Sequence, residues 1–368
     1  MKIAIVHEWW AKNGGAEEVV TQISYLYPEA DVWCLYVDKD AKSRKIQGKE
    51  IYETWLRFVP FHENRKIAAL LSPLVYRTIS LKRYDLVIVS SHTFAHWTRF
   101  PRSYATKYLC YVYTPARALW MPEIDTRGSI LSTTKLGKLL RTIDRYSSRR
   151  VDAFAAISNE VEKRIDEFWM RSSTLIYPPV NLEEIYSYVP KRESSNFFSG
   201  RDYLVTAGRF VEYKRHTFVI QLAKRMDLPI LIMGSGPQRT EIQNLAEDIG
   251  VEFMLLVSPD RHTWLNGLAN AKAMIFPGIE DFGITPIEAI GLGTPVFALG
   301  KGGALDYIQN GVNGQLIERN DVESYREAIL NFSSSKDDIR YSVAKFSTYN
   351  FKKSFQNWVS ESGCINER

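Results

Sequence analysis

The chain runs to 368 residues, 45% of them apolar and 24% charged, and carries a formal charge of +5. Those are the proportions of a soluble globular protein with room for two domains. No apolar run approaches the roughly 20 residues of a membrane span, and three scattered cysteines, Cys34, Cys110 and Cys364, fit neither a disulfide framework nor a metal site.

Met1-Lys-Ile-Ala-Ile-Val6 is too short in its apolar part for a signal peptide and reads as a first core strand, residues 2–7. The cytoplasm is the expected compartment. Asn13-Gly14-Gly15-Ala16-Glu17 then opens a helix over 15–27. Two glycines there suit a close backbone approach to a phosphate, and equally suit a simple turn. Short β-branched runs predict strands at 31–36, 85–90, 107–113, 152–157 and 173–177, with helices at 64–80, 135–150 and 158–169. Basic residues concentrate in this half. Residues 1–180 hold 27 Lys and Arg against 19 Asp and Glu, whereas the remainder holds 20 against 23. Around Trp55-Leu-Arg-Phe-Val-Pro-Phe61 and Arg65-Lys66 the cations alternate with aromatics. Such a face suits an anionic membrane or an anionic lipid acceptor, or it is a solvated basic surface. Nucleic acid is not expected, because no recognised binding motif accompanies the charge.

Tyr177-Pro-Pro-Val180 closes the first series, and a polar stretch from Lys191 to Arg201 precedes a second. That series has strands near 202–207, 229–233, 251–257, 272–276, 295–298 and 314–317. Its helices fall near 215–226, 237–249, 261–270, 285–292, 302–309 and 321–332. Alternating βα units imply parallel sheets covered by helices. The expected architecture is therefore α/β, with two Rossmann-like, doubly wound domains, 1–180 and 181–345, facing across a cleft lined by strand ends. The amphipathic tail, 346–368, is expected to pack back on the first domain.

Residues that carry chemistry follow the strand ends of the second series. Gly208-Arg209-Phe-Val-Glu-Tyr-Lys214 places two cations after strand 202–207, as a phosphate grip or as surface charges. Gly234-Ser-Gly-Pro237 is a Gly-x-Gly turn that lacks the third glycine of the dinucleotide fingerprint. Glu280-Asp-Phe-Gly-Ile-Thr-Pro-Ile-Glu288 reads as a tight loop around Gly283 into a helix opening at Thr285-Pro286. The amides of residues 282–285 would cradle an anion, with a carboxylate on each side. Thr285-x-x-Glu288 is also a capping box, in which Glu288 serves only the helix end.

Taken together, Gly14-Gly15-Ala16-Glu17, Gly208-Arg209…Lys214, Gly234-Ser-Gly-Pro237, Glu280-x7-Glu288 and Gly302-Gly303…Asn310-Gly311…Gly314 resemble the large retaining glycosyltransferase family 4, of GT-B fold. Order and spacing cover nearly the whole chain. The resemblance implies a hexosyltransferase, mannose-type favoured, acting from a GDP- or UDP-sugar donor on a glycan or polyprenyl-linked acceptor in cell-surface polysaccharide biosynthesis. It implies a catalytic set of Arg209, Lys214 and Glu280, the two cations on the donor diphosphate and Glu280 on sugar hydroxyls. Amides of Phe282, Gly283 and Ile284 would contact sugar and phosphate, Glu288 the ribose, and Gly15 would let the first domain reach the phosphates. No cofactor and no metal is implied, and the acceptor puts the work at the inner face of the membrane.

One position departs from the pattern. Relatives end the strand corresponding to 108–113 in His-Thr-Pro, and this chain has Tyr113-Thr114-Pro115. The family histidine contacts the donor sugar, so Tyr113 is expected to alter the donor pocket near the outer hydroxymethyl group. His92 and His96 are either partial substitutes for it or ordinary loop residues. A sugar-nucleotide epimerase of the same fold and a donor-binding subunit without catalysis are the competing readings.

Overall fold

The structure, a computed structural model, describes residues 1–11, 14–41, 43–79, 82–101, 106–121, 134–190 and 197–363. Asn13, Cys364, the end of the tail and the polar stretch 191–196 lie outside them. Two units result, Met1–Pro179 with Thr348–Arg368, and Val180–Ser347. The first crossing thus falls one residue before the expected position, and the return two residues after it.

In the first unit seven strands pair in parallel: β1 (Ile3–Val6), β2 (Asp31–Cys34), β3 (Tyr52–Glu53), β4 (Leu86–Ser91), β5 (Lys107–Val112), β6 (Ala153–Ala156) and β7 (Thr174–Leu175). Their order is β3-β2-β1-β4-β5-β6-β7, with Ile5 opposite Val32 on one side and Ile88 on the other. The central strands read as unbroken apolar runs because helices cover both faces of such a sheet. Edge strand β3 has only two residues and no apolar pattern, so nothing in the sequence announces it. Cys34 and Cys110 are buried free thiols in β2 and β5.

The helix expected over 158–169 is α-helical only from Asn159 to Arg164. It continues as a π-helical turn, Ile165–Trp169, and stops at Met170 in the left-handed region. The tail helix, Thr348–Glu361, buries Phe351, Phe355, Trp358 and Val359. Its Phe351 and Phe355 rings lie 5.9 and 6.1 Å from that of Tyr111 in β5.

The second unit holds β8 (Leu204–Arg209), β9 (Ile230–Ser235), β10 (Phe253–Val257), β11 (Ala273–Phe276), β12 (Val296–Leu299) and β13 (Gly314–Ile317). All pair in parallel, in the order β10-β9-β8-β11-β12-β13. Phe218, Val219, Leu222, Ile242 and Tyr325 from the covering helices pack on Leu204, Ile230, Ile232 and Ile275 as one core cluster. The helix expected near 302–309 shrinks to Ala304–Tyr307. Its leading residues dock on the loop after β11 instead, where the Gly303 amide donates to the Glu280 carbonyl at 2.8 Å. Strand order reverses between β8 and β11, and in open sheets of this kind ligands bind beyond the strand ends at that reversal. The loops leaving β8 and β11 are the ones that carry the charged motifs.

Candidate active site

β8 ends at Arg209, and a single 3₁₀ turn, Glu212–Lys214, leads to the helix His216–Met226. The Arg209 peptide is held from two sides. Buried His216 donates from Nε2 to the Arg209 carbonyl at 3.1 Å and accepts the Thr206 hydroxyl on Nδ1 at 3.1 Å. A carbonyl can only accept, so this tautomer follows. Burial pulls the His216 pKa down to about 4, against the raising effect of the Arg209 hydrogen bond, and the ring is neutral near pH 7. On the other side the Gly234-Ser-Gly turn presses on the backbone of 208–210. A Cβ at Gly234, whose φ is +145°, would lie 1.8 Å from the Gly208 carbonyl oxygen. That turn, a partial dinucleotide fingerprint in the sequence, serves close backbone packing here.

The Arg209 side chain is exposed, and no described residue pairs with it. Lys214 differs. Its ammonium contacts the Glu280 carboxylate, with only 10% and 18% of the two side chains exposed, and lies 4.8 Å above the Phe276 ring. Of these two cations, Arg209 is unpaired among the described residues and Lys214 is held by a carboxylate.

Gly283, at φ +110°, turns the chain leaving β11 into the helix Ile284–Gly291. This start is one residue earlier than expected, and Pro286 occupies the third helical position rather than the first. No side chain caps the end, and the amides of Ile284 and Thr285 have no acceptor within the helix. The capping box does not form. Glu288 turns away from the helix end, and its carboxylate accepts from Arg261 Nη1 at 2.7 Å and Trp264 Nε1 at 3.0 Å. Phe282 is buried, its ring against Tyr307 and Phe346. Arg209, Lys214, Glu280, Phe282, Gly283, Ile284 and Glu288 thus all sit on the segments that leave β8 and β11. Among the described residues no group of His, Cys, Asp and Glu is placed to hold a metal ion.

Gly15 and Tyr113 belong to the other unit. Gly15 is exposed, the first residue of the helix Gly15–Leu26. The Tyr113 hydroxyl donates to the Ala16 carbonyl at 3.1 Å and accepts from Ser90 Oγ at 3.0 Å. Its one proton is therefore spent inside the unit, and one lone pair on the oxygen is left for a further donor. The phenol is long enough to reach the first turn of the neighbouring helix.

The direction of those bonds determines the next link. Ser90 gives its proton to Tyr113, so His7 Nδ1 donates to Ser90 Oγ at 3.0 Å, and His7 Nε2 keeps a bare lone pair, buried without a partner. Beside it Glu8, fully buried, accepts the amides of His92, Thr93 and Ala95 at 3.0, 2.8 and 3.3 Å. Burial raises the Glu8 pKa, opposed by His7 and those amides. His92 is brought down to about 4, chiefly by burial. His96 is buried, with Nε2 2.9 Å from Asp144. His96 is therefore a core residue, whereas His92 is a partly buried loop residue beside Glu8. The sequence reading missed His7 and Glu8, although a titratable pair directly after a first core strand is a signal that points to them.

The family model described as "Glycosyl transferases group 1" matches residues 190–349. An uncharacterized glycosyltransferase of Methanocaldococcus jannaschii is 23% identical over 52% of this chain and 53% of that protein. The O-antigen chain mannosyltransferase C of Escherichia coli is 28% identical over 86% of this chain and 84% of its own. Several of the curated relatives are matched over about half of their length. Among solved structures, HepE of Anabaena, crystallised with UDP, superposes with a TM-score of 0.71 at 15% identity, over 98% of this chain and 100% of that one. At that identity the likeness is one of fold, the GT-B arrangement of two Rossmann-like domains. Residues 190–349, the stretch that matches the glycosyl transferases group 1 model, hold Arg209, Lys214, Glu280 and Glu288.

Proposed function

We propose that the protein is a metal-independent, retaining glycosyltransferase of the family 4 type. It moves a hexose from a nucleotide-diphosphate sugar to a glycan or lipid-linked acceptor in cell-surface polysaccharide biosynthesis. The observation that carries this reading is the unpaired Arg209 guanidinium, on a peptide locked by a neutral buried histidine, at the strand reversal of the sheet. A diphosphate matches that fork, and the amides heading the helix Ile284–Gly291 add donors for its oxygens. Charge builds on the diphosphate as the glycosidic bond breaks, so a cation fixed beforehand lowers the barrier. Lys214 leaving Glu280 for the diphosphate would free that carboxylate for sugar hydroxyls. The name of the Escherichia coli relative favours mannose, and the nucleotide base stays open between GDP and UDP.

The test is a panel of GDP- and UDP-hexoses followed for nucleoside diphosphate release with EDTA present. Release from one donor, with the product sugar keeping its donor's anomeric configuration, is the expected result. Binding of no donor, or release only when divalent metal is restored, contradicts the reading.

The acceptor side is read from the surface of the first unit. Phe58 and Phe61 are 74% and 81% exposed, and Leu70 and Leu74, on the helix Arg65–Arg77 beside them, 74% and 57%. Arg57 shares a 3₁₀ turn with Phe58 and Arg77 the helix of Leu70 and Leu74, whereas Arg65 is held on Asp38 and Tyr36. No helix among the described residues is long and apolar enough to cross a membrane. Apolar tips between cations suit peripheral contact with an anionic leaflet. The protein is expected to sediment with phosphatidylglycerol vesicles at low salt, and the double variant Phe58→Ser, Phe61→Ser to lose most of that binding. Equal recovery with neutral and anionic vesicles would remove the membrane from the account.

A further inference from the structure

Arg261 stands between two carboxylates. Its Nε and Nη2 form a fork on Glu184, with Nε 3.1 Å from Oε1 and Nη2 2.8 Å from Oε2, while Nη1 reaches Glu288 Oε1 at 2.7 Å. Each partner is fixed in turn. Asp260 caps the helix Arg261–Ala269 by accepting the Thr263 amide at 2.8 Å, which makes Arg261 its first residue. Trp264 lies three residues on, hence on the same helical face, and donates to Glu288 Oε2 at 3.0 Å. Glu184 rides on the helix Leu182–Ser187, where the Asn181 side chain accepts the Glu184 amide at 3.3 Å. Tyr188, just beyond, donates its hydroxyl to the His262 carbonyl at 3.2 Å and so ties that segment to the start of the Arg261 helix.

The consequence for Glu288 follows from counting lone pairs. A carboxylate has about four acceptor sites, and Arg261 and Trp264 take one on each oxygen. One site per oxygen is left, on a side chain only 11% exposed. Two acceptors side by side in one plane match the two hydroxyls of a vicinal diol. We infer that Glu184 and Arg261 act as a clamp that aims the Glu288 carboxylate at both ribose hydroxyls of the nucleotide, making Arg261 a positioning residue for donor affinity. The inference rests on the reading of Glu288 as the ribose ligand.

The experiment measures binding of UDP, GDP and ADP, and of the 2′,3′-dideoxy form of whichever binds, by calorimetry. Wild type is expected to prefer the ribonucleotide by about tenfold or more, the range for hydrogen bonds to a charged group. In Arg261→Gln, and in Glu184→Gln, which leaves Arg261 in place and removes only its far support, the preference should fall below about threefold. Arg261→Lys, which keeps the charge without the fork, should lie between. With a donor that turns over, KM should rise in both variants while kcat at saturation holds, because neither residue touches the diphosphate. An unchanged preference in both variants, even with weaker binding overall, overturns the clamp and leaves Arg261 as a local charge. A wild type without preference overturns the ribose role of Glu288 on which the clamp depends. A wild type that binds none of the three nucleotides overturns the donor reading itself, and the clamp with it.

Discussion

Arg209→Ala is expected to slow nucleoside diphosphate release by about 10²–10³-fold, the cost of removing one preorganised charge stabiliser from a transition state. The side chain is exposed and unpaired among the described residues, so its loss leaves no buried group without a partner. Thermal stability should therefore stay within the small range of surface substitutions. Arg209→Lys should recover part of the rate, since it restores the charge without the bidentate fork. Initial rates of release set beside melting curves decide the matter. A rate loss that tracks a loss of stability would make Arg209 structural.

Asp144→Ala should destabilise the first unit by about 3–5 kcal/mol, the cost of leaving partners of a buried charge unpaired. Asp144 is fully buried and accepts indole N–H groups of Trp97, Trp120 and Trp169, each at 2.7 Å, with His96 Nε2 also 2.9 Å away. Three of the nine tryptophans of the chain meet at this carboxylate, so denaturant unfolding read by tryptophan fluorescence reports on it directly. A midpoint within experimental error of wild type would show that the cluster contributes nothing.

The same cluster has a pH signature. Burial alone would raise the Asp144 pKa, but the attraction of His96 and the hydrogen bonds aimed at the carboxylate outweigh it and hold the value below the ordinary one. A carboxyl depressed in the folded state contributes stability above its unfolded pKa of about 3.9, and loses it as pH falls further. His92 and His216, held near 4 against about 6.5 when unfolded, act at higher pH. Their contribution is present above about 6.5 and is lost as pH falls toward 4. Acid unfolding of wild type should therefore begin in the histidine window and steepen below it.

Much of the second sheet was legible because β8, β9, β11 and β12 are largely buried apolar runs with a glycine at or just beyond their ends, Gly208, Gly234, Gly278 and Gly300. Arg209, Lys214, Glu280 and Glu288 were legible for a related reason, since motif spacing places them just beyond strand ends. Their partners were not. Glu288 looked like half of a capping box, and only the fold shows Arg261 and Trp264 on it, 27 and 24 residues away. Asp144 lies 47, 24 and 25 residues from its three tryptophans, with no local periodicity to mark the cluster. Tyr113 spends its proton on Ala16, 97 residues away, a contact that motif comparison cannot supply. The helix start at Ile284 was misplaced by one residue because Thr285-x-x-Glu288 imitates a cap, whereas Gly283 at positive φ makes the turn itself. Local pattern locates strand ends and helix starts, and long-range pairing decides what each side chain does there.

The central claim is that the loops leaving β8 and β11 bind a nucleoside diphosphate. A crystal structure of the protein with UDP or GDP, whichever binds, tests it most directly. The account predicts the diphosphate within hydrogen-bonding distance of Arg209 and the Ile284 and Thr285 amides, with both ribose hydroxyls on Glu288. A nucleotide seated elsewhere, or one whose diphosphate avoids Arg209, would contradict it.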